Sequence, residues 1–170
     1  MLYDIVRPDC KGDSVQIVIY QIGRTKAEFV KLAQQEYLKR LSRAWSVKLE
    51  ELTLKTPKSI EPKLQMQHEA KELLGRIKPQ QYLIALDEGG KQLASPQLAS
   101  QLEQLAVDGH SQLVFAIGGP HGFDKSVLAR AQACLSLSKL TFTYQFASLI
   151  LIEQLYRSLC IIKGVPYHKD

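Results

Sequence analysis

Short apolar runs alternate with amphipathic stretches along most of the chain, a pattern typical of strands followed by helices. Buried strands are predicted at residues 15–20, 46–54, 82–86, 112–117 and 135–137. Helices are predicted between them, starting near residues 25, 61, 95, 124 and 144. This alternation favours an α/β fold with a mostly parallel sheet flanked by helices. No repeat or linker divides the chain, so we expect an extension at residues 1–14 and one domain at 15–170.

Capping residues predict where the helices begin. Thr25 and Glu28 have the spacing of a capping box. The stripe that would then face the core is Phe29, Leu32 or Ala33, Tyr37 and Leu41. Further starts are predicted at Glu61-Pro62, Ser95-Pro96 and Asp124, and the last helix is predicted to stop near residue 163. That last helix is apolar almost all round, so it must be buried in the core or in a dimer interface.

The charge of the protein is concentrated in its first half. The chain has 170 residues, of which 45% are hydrophobic and 23% charged, with a formal net charge of +5. Residues 1–83 contain 15 Lys or Arg and 10 Asp or Glu, whereas the remainder is balanced. A cluster at Lys39, Arg40 and Arg43 fits a polyanion such as RNA. Solvated helix faces explain the same charges equally well.

Cysteine usage and hydropathy narrow the class of protein. Cys10, Cys134 and Cys160 are widely spaced and form no CxxC or Cys/His pattern, so we expect no metal site. The first residues lack the apolar core of a signal peptide. The apolar run at 146–152 is too short to span a bilayer. We therefore expect a cytoplasmic protein.

Three predicted strands end in unusual segments: Leu86-Asp87, Gly118-Gly119 and residues 137–142. Open α/β sheets bind ligands just outside the carboxyl ends of their strands, so these segments could line one pocket. The glycine-rich loop at 118–122 lacks the Lys-Ser/Thr pair of a P-loop. It is either a plain turn or a place where backbone groups hold an adenosine-type cofactor.

The segment at 137–142 also has two interpretations. By composition it is an ordinary loop. Alternatively, its backbone groups bond an adenine edge while Leu140 and Phe142 sandwich the ring. Arg157 is similarly ambiguous, because it lies one turn after Glu153 and can form an i,i+4 ion pair. Its planar guanidinium also suits a phosphate or a base.

The last six residues, 165–170, carry a stiffening proline, an aromatic ring, an imidazole and an ammonium group. Chain ends are usually frayed and chemically bland. A rigid aromatic and basic tail behind a buried helix therefore indicates a tail that docks and touches a ligand.

These segments, taken in order, match a known family. The matching motifs are Leu86-Asp87-Glu88 with Gly90-Lys91, Ile117-Gly118-Gly119 with Gly122, residues 135–141, the LIEQLYR stretch at 151–157, and Pro166-Tyr167-His168. The chain resembles the RlmH family of SPOUT methyltransferases, which methylate N3 of a pseudouridine in 23S ribosomal RNA. The match runs from about Val15 to the end of the chain.

The resemblance implies a C-terminal trefoil knot, a homodimer and S-adenosylmethionine bound in the knot. It implies that the partner's C-terminal tail completes an active site acting on the large ribosomal subunit. The implied cofactor residues are Leu86, Gly118, Gly119, Leu137, Ser138, Lys139, Leu140, Thr141 and Phe142. The implied catalytic residues, facing the RNA nucleotide, are Arg157, Tyr167, His168 and Lys169.

Roles for these groups follow from their chemistry. His168 is the candidate base, because an imidazole titrates near neutrality. Tyr167 could stack on the uracil ring. Arg157 or Lys169 could stabilise the developing anion or hold a phosphate, while the basic first half, including Arg40 and Arg43, positions the RNA backbone.

Three positions depart from the family pattern: Tyr144 stands for a histidine, Ser148 for an arginine and Lys169 for an arginine. Lysine keeps the charge of arginine but loses its bidentate geometry. Three alternatives stay open: a SPOUT enzyme acting on transfer RNA, a non-catalytic dimeric RNA- or ribosome-binding module, and a generic nucleotide-binding α/β protein.

Overall fold

The computed structural model describes residues 15–54 and 60–167. Within these ranges strands and helices alternate strictly. The elements are β1 (Gln16–Ile22), α1 (Glu28–Leu41), β2 (Ser46–Leu52), α2 (Pro62–Leu74), β3 (Tyr82–Gln92), α3 (Ser95–Val107), β4 (Gln112–Ile117), α4 (Lys125–Arg130), β5 (Ala133–Ser136) and α5 (Tyr144–Ile162).

The strands form one sheet with the order β2-β1-β4-β3-β5, and every neighbouring pair is parallel. The predicted parallel α/β architecture is therefore confirmed. The trefoil knot stays a prediction. Parallel strands place all their carboxyl ends at the same edge of the sheet, so the loops after β4, β3 and β5 are neighbours there.

Side chains alternate between the two faces of the sheet, and each face has its own core. Ile17, Ile19 and Phe115 pack with residues of α1, α3 and α5. Tyr20 and Ile22 pack on the opposite face with residues of α2 and α4. The continuous apolar character of β1 and β4 follows from this burial on both faces.

Helix α5 is the central element of the first core. Its residues Leu151, Ile152 and Leu155 are fully buried, while Phe146 at its start is 43% exposed. By length and composition alone α5 could cross a membrane, a test that core helices of globular proteins also pass. Its packing against α1, α3 and the sheet makes it a core helix here.

The predicted start of α1 is wrong. The helix begins at Glu28 with Ala27 as its N-cap, so the capping box at Thr25 does not form. The Thr25 amide instead donates to Glu51 Oε1 at 2.8 Å. The amides of Lys26 and Ala27 donate to Gln145 Oε1 on α5, at 2.6 and 3.1 Å. A side chain from α5 thus satisfies the donors that a local cap would satisfy.

The predicted apolar stripe of α1 is also wrong in part. Phe29 and Leu32 are 64% and 59% exposed, whereas the buried positions are Val30, Gln34 and Leu41. The buried Gln34 is tolerated because its Nε2 donates to Ser148 Oγ on α5 at 2.7 Å.

Other boundaries moved by a few residues. Strand β3 was expected to end near Leu86 but continues to Gln92 after an irregularity in its pairing with β5. Helix α2 ends at Leu74 and α4 at Arg130, earlier than the ends near residues 78 and 133 that the sequence pattern predicts, and β5 spans Ala133–Ser136 where 135–137 is predicted. The N-cap of α3 is Ala94, not Ser95. Asp124 does cap α4, accepting a bond from the Ser126 amide. Residues 1–14 and Pro57, the predicted breaker of β2, lie outside the described residues.

Candidate active site

The register of three adjacent strands brings the predicted cofactor segments together. Leu86 on β3 pairs with Ile117 on one side and Leu135 on the other. Gly118 directly follows Ile117, and Leu137 follows β5. The structure therefore gathers Leu86, Gly118 and Leu137 at one edge of the sheet, as the rule for open α/β sheets predicts.

The glycine loop after β4 turns back on itself. Gly119 and Gly122 form an isolated antiparallel bridge, with the Gly122 amide 3.1 Å from the Gly119 carbonyl oxygen. Gly122 has a φ of +77°, which only glycine adopts without strain. A Cβ at Gly118 would lie 3.2 Å from the Gly122 carbonyl carbon. The loop therefore needs small residues for its own folding, in addition to any ligand.

The loop at 137–142 is shaped by two serines. Ser136 Oγ donates to the Ser138 carbonyl oxygen at 3.0 Å, and the Leu140 amide donates to Ser138 Oγ at 2.9 Å. Leu140 is 73% exposed and Phe142 36% exposed. Two apolar side chains of this predicted cofactor segment are thus left on the surface, as contact with an apolar ligand face requires.

The C-terminal tail docks on its own chain, against α1 and α5. The Tyr167 hydroxyl lies 3.2 Å from the Tyr37 hydroxyl and donates to Glu153 Oε1 at 3.1 Å. The Tyr167 ring meets the Tyr156 ring edge-on, with centroids 4.8 Å apart. The Arg157 guanidinium lies over the Tyr167 ring at 4.9 Å. We refer to Tyr37, Glu153, Tyr156, Arg157 and Tyr167 as the tail cluster.

Charge and burial shape the titration of this cluster. Burial, helped by the bond to Tyr37 and the Glu153 charge, raises the pKa of Tyr167 well above that of a free phenol. The hydrogen bond to Glu153 raises the pKa of Arg157. The Arg157–Glu153 ion pair, 2.6 Å long, is the i,i+4 pair anticipated from the sequence.

The predicted catalytic residues are only partly gathered. Arg157 and Tyr167 lie together in the tail cluster, while His168 and Lys169 lie outside the described residues. Tyr167 contacts α1 and α5. Glu153 is nine residues into α5, which puts it about 14 Å along the helix from Tyr144, where α5 begins just after the predicted cofactor segment at 137–142.

Arg40, a predicted RNA contact, pairs with Glu36 at 2.8 Å and stacks on the rings of Tyr37 and Tyr156. It therefore helps to build the floor under the docked tail. Arg43 lies just beyond α1 and is exposed.

The two family departures at the start of α5 are structural here. The Tyr144 hydroxyl donates to the Arg24 carbonyl oxygen at 3.0 Å, and its ring covers Gly23. Ser148 is fully buried, accepts from Gln34 and donates to the Gln145 carbonyl oxygen. Neutral groups thus fasten α5 to α1 and to the residues just before it, where the family pattern has cationic or titratable ones.

One buried carboxylate at the carboxyl edge of the sheet was not predicted from the sequence. Glu69 on α2 is 7% exposed, and its carboxylate faces the backbone of Gly119. A carboxylate on the buried stripe of a helix, next to Ala70 and Leu73, was the sequence signal that could have found it.

A polar cleft of about 450 Å³ lies at the β2 end of the same edge, away from β3 and β5. It is lined by Arg24, Glu50, Glu51, Leu52, Thr53, Glu72 and Arg76. Three carboxylates outnumber two guanidinium groups there, which makes it a poor site for an RNA backbone.

A parallel α/β sheet with candidate ligand loops at one edge is compatible with many enzymes, and comparison with known proteins narrows the class. The model of the family described as predicted SPOUT methyltransferase matches residues 15–168. The chain belongs to this SPOUT methyltransferase family. The members of this family are methyltransferases, so their reaction needs a methyl donor.

Individual relatives give a finer placement. The ribosomal RNA large subunit methyltransferase H of Alkaliphilus oremlandii is 42% identical over 159 residues, covering 91% of this chain and 100% of the relative. The proteins of the same name from Clostridioides difficile and Shouchella clausii are 42% and 40% identical with the same coverage. The resemblance to the RlmH family drawn from the motifs is confirmed.

Proposed function

We propose that this protein methylates N3 of a pseudouridine in 23S ribosomal RNA of the large ribosomal subunit, in the cytoplasm, with S-adenosylmethionine as the donor. Residues 15–170 would act as one domain. The observation that carries the proposal is the end-to-end similarity to proteins named ribosomal RNA large subunit methyltransferase H. The gathering of Leu86, Gly118 and Leu137 at one sheet edge supports it independently.

The residues at this edge fit such a cofactor. Leu86, Leu137, Leu140 and Phe142 offer apolar surface for an adenine ring, while Ser138, Lys139 and Thr141 add polar groups. Gly118 and Gly119 bring backbone close to the ligand. The buried Glu69 carboxylate adds a negative charge that suits a cationic molecule.

S-adenosylmethionine supplies an activated methyl group for an in-line displacement. The chain must hold the RNA nitrogen near that carbon, at roughly 3–3.5 Å. His168 would accept the N3 proton as attack proceeds. Tyr167 would present its ring to the nucleotide, with Arg157 and Lys169 supplying positive charge nearby.

We propose that two chains form the enzyme, each tail completing its partner's site. The docked Tyr167 contacts α1 and α5, and none of its described contacts is with the cofactor loops. Near the start of α5, Phe29, Leu32 and Phe146 form an exposed apolar patch, with the two phenyl centroids 6.2 Å apart. Such a patch on the same pair of helices suits the surface of a second copy.

The test is methylation of large subunits that lack this modification. We expect the wild-type protein to add one methyl group at N3 of a 23S pseudouridine, read by mass spectrometry of nuclease fragments. His168→Ala should lower the rate by about 10²-fold or more, while binding of S-adenosylmethionine in calorimetry is unchanged. His68→Ala, an exposed histidine on α2, is the matched control. Full turnover by His168→Ala would rule out the base, and no wild-type methylation of 23S RNA would rule out the substrate.

A further inference from the structure

Glu69 is a buried carboxylate whose position at the sheet edge is unusual. It lies in the middle of α2 and is 7% exposed. A Cβ built on Gly119 would lie 2.9 Å from Glu69 Oε2, 3.1 Å from Oε1 and 3.2 Å from Ile22 Cγ2. The carboxylate therefore sits between the carboxyl ends of β4 and β1, directly against the segment that follows Gly118.

The charge of Glu69 has little compensation from the protein. Gln65 Nε2 donates to Oε1 at 2.8 Å, which is a neutral hydrogen bond. Among the described residues, no lysine, arginine or histidine forms an ion pair with Glu69. Glu72 on the same helix pairs with Arg76 at 2.6 Å at the surface. Burying a carboxylate without a cation costs free energy, so a cationic ligand would be stabilised at this site.

The chemistry of the site selects among cations. A polyanion such as RNA is repelled by a carboxylate. A divalent metal ion needs several oxygen, nitrogen or sulfur ligands, and in the described residues no group of three such side chains is assembled. A sulfonium has no proton to donate, whereas an ammonium has three N–H donors. One of them can bond Glu69 Oε2, for which no hydrogen bond is seen within the described ranges 15–54 and 60–167.

We propose that Glu69 binds the α-ammonium group of the methionyl portion of S-adenosylmethionine, an inference that rests on the proposed function above. The adenosine portion then lies over Leu86 and the loop at 137–142, between β3 and β5. The methionyl portion crosses Gly118 and Gly119 toward β1. A side chain at Gly119 would displace the carboxylate that receives the ammonium, because its Cβ would lie 2.9 Å from Glu69 Oε2.

The test compares two ligands that share the adenosine and the thioether sulfur and differ only in the second group attached to that sulfur. S-adenosylhomocysteine carries the aminocarboxyl tail, and 5′-methylthioadenosine does not. Titration calorimetry should show that Glu69→Gln weakens S-adenosylhomocysteine by about 10- to 100-fold, the loss of a charge-assisted bond. The affinity of 5′-methylthioadenosine should not change. Glu72→Gln, three residues further along α2, is the matched control and should bind both ligands as the wild type does.

The melting temperature of the free protein distinguishes ligand binding by Glu69 from a purely structural role. If Glu69 binds the ligand, Glu69→Gln removes an uncompensated buried charge at constant volume, so the free protein should melt at the same temperature as the wild type or higher. A structural role predicts a lower melting temperature. An equal loss for both ligands, or unchanged affinity for S-adenosylhomocysteine, would overturn the assignment. If the wild-type protein binds S-adenosylhomocysteine and methylates 23S RNA, such a result overturns only the assignment of Glu69. If the wild-type protein binds neither ligand or leaves 23S RNA unmethylated, the proposed function itself fails.

Discussion

Removing one oxygen atom from the tail tests how the tail is held. Tyr167→Phe keeps the ring, with its edge contact to Tyr156 and its place beneath Arg157. It removes the hydroxyl that meets Tyr37 and Glu153. The variant therefore isolates the polar part of docking from its aromatic part.

The magnitude follows from the two bonds that are lost. A neutral hydrogen bond contributes about 0.5–1.5 kcal/mol and one to a charged group about 1.5–3 kcal/mol. The sum of these two contributions overstates the loss of docking free energy, because Glu153 keeps its bond to Arg157. Both side chains also remain partly exposed to water, 19% for Glu153 and 25% for Arg157. A net loss of about 1 kcal/mol is expected, which lowers the ratio of docked to free tail roughly fivefold.

Amide hydrogen exchange measures this ratio directly. The Val165 amide donates to the Cys160 carbonyl oxygen and the Tyr167 amide to the Val165 carbonyl oxygen, each at 2.8 Å. Their exchange rates should rise roughly fivefold in Tyr167→Phe. Methylation should fall by no more than the same factor. Tyr82→Phe, at the amino end of β3 beside His110, is the control and should change neither.

The pH dependence gives a second check. Because the folded-state pKa of Tyr167 is raised, its contribution is fully present below the usual phenol pKa of about 10. It is lost only as pH rises through the raised value. The ratio of variant to wild-type exchange should thus be equal at about pH 6 and about pH 9. Unchanged tail exchange in Tyr167→Phe would refute the proposed anchoring.

Two further substitutions test packing that the fold depends on. Ser148→Ala leaves the buried Gln34 amide without its 2.7 Å acceptor. We expect the free energy of unfolding to fall by about 2 kcal/mol, which calorimetry would show as a Tm lower by roughly 4–8 °C. An unchanged Tm would contradict this expectation. Gly90→Ala places a Cβ 2.7 Å from backbone carbons of Cys134 and Leu135, so it should cost about 1–3 kcal/mol in urea unfolding through strain between β3 and β5. Wild-type stability would show that these strands can separate freely.

Local periodicity was sufficient for the fold class, because each strand and helix carries its own apolar pattern. It failed at α1, where the decisive partner is remote. Gln145 is more than a hundred residues from the amides of Lys26 and Ala27 that it accepts from. The same holds for Gln34, a polar residue that is buried only because Ser148 faces it. A pattern of hydrophobic positions contains no information on such pairs.

The candidate site likewise combines features that follow from the strand pattern with contacts between distant residues. Topology alone puts the ends of β3, β4 and β5 at one edge, so the three predicted cofactor segments are expected to meet there. The docking of Tyr167 on Tyr37 depends on a contact between opposite ends of the chain. The burial of Glu69 depends on Gly119 approaching α2. Both contacts join residues that are far apart in the sequence, so no local pattern predicts them.

The contacts of α5 explain how the departures from the family pattern are accommodated. Tyr144 and Ser148 fasten its first turns to Arg24 and Gln34, so groups that would be titratable or cationic in the family serve packing here. Arg157 further along α5 is neutralised by Glu153. This pair reduces the positive charge that Arg157 would offer to RNA in the proposed site. Lys139 and Lys169 carry the other positive charges among the proposed site residues, so in the proposed site the docking of Tyr167 on α5 would matter for RNA binding as well as for catalysis.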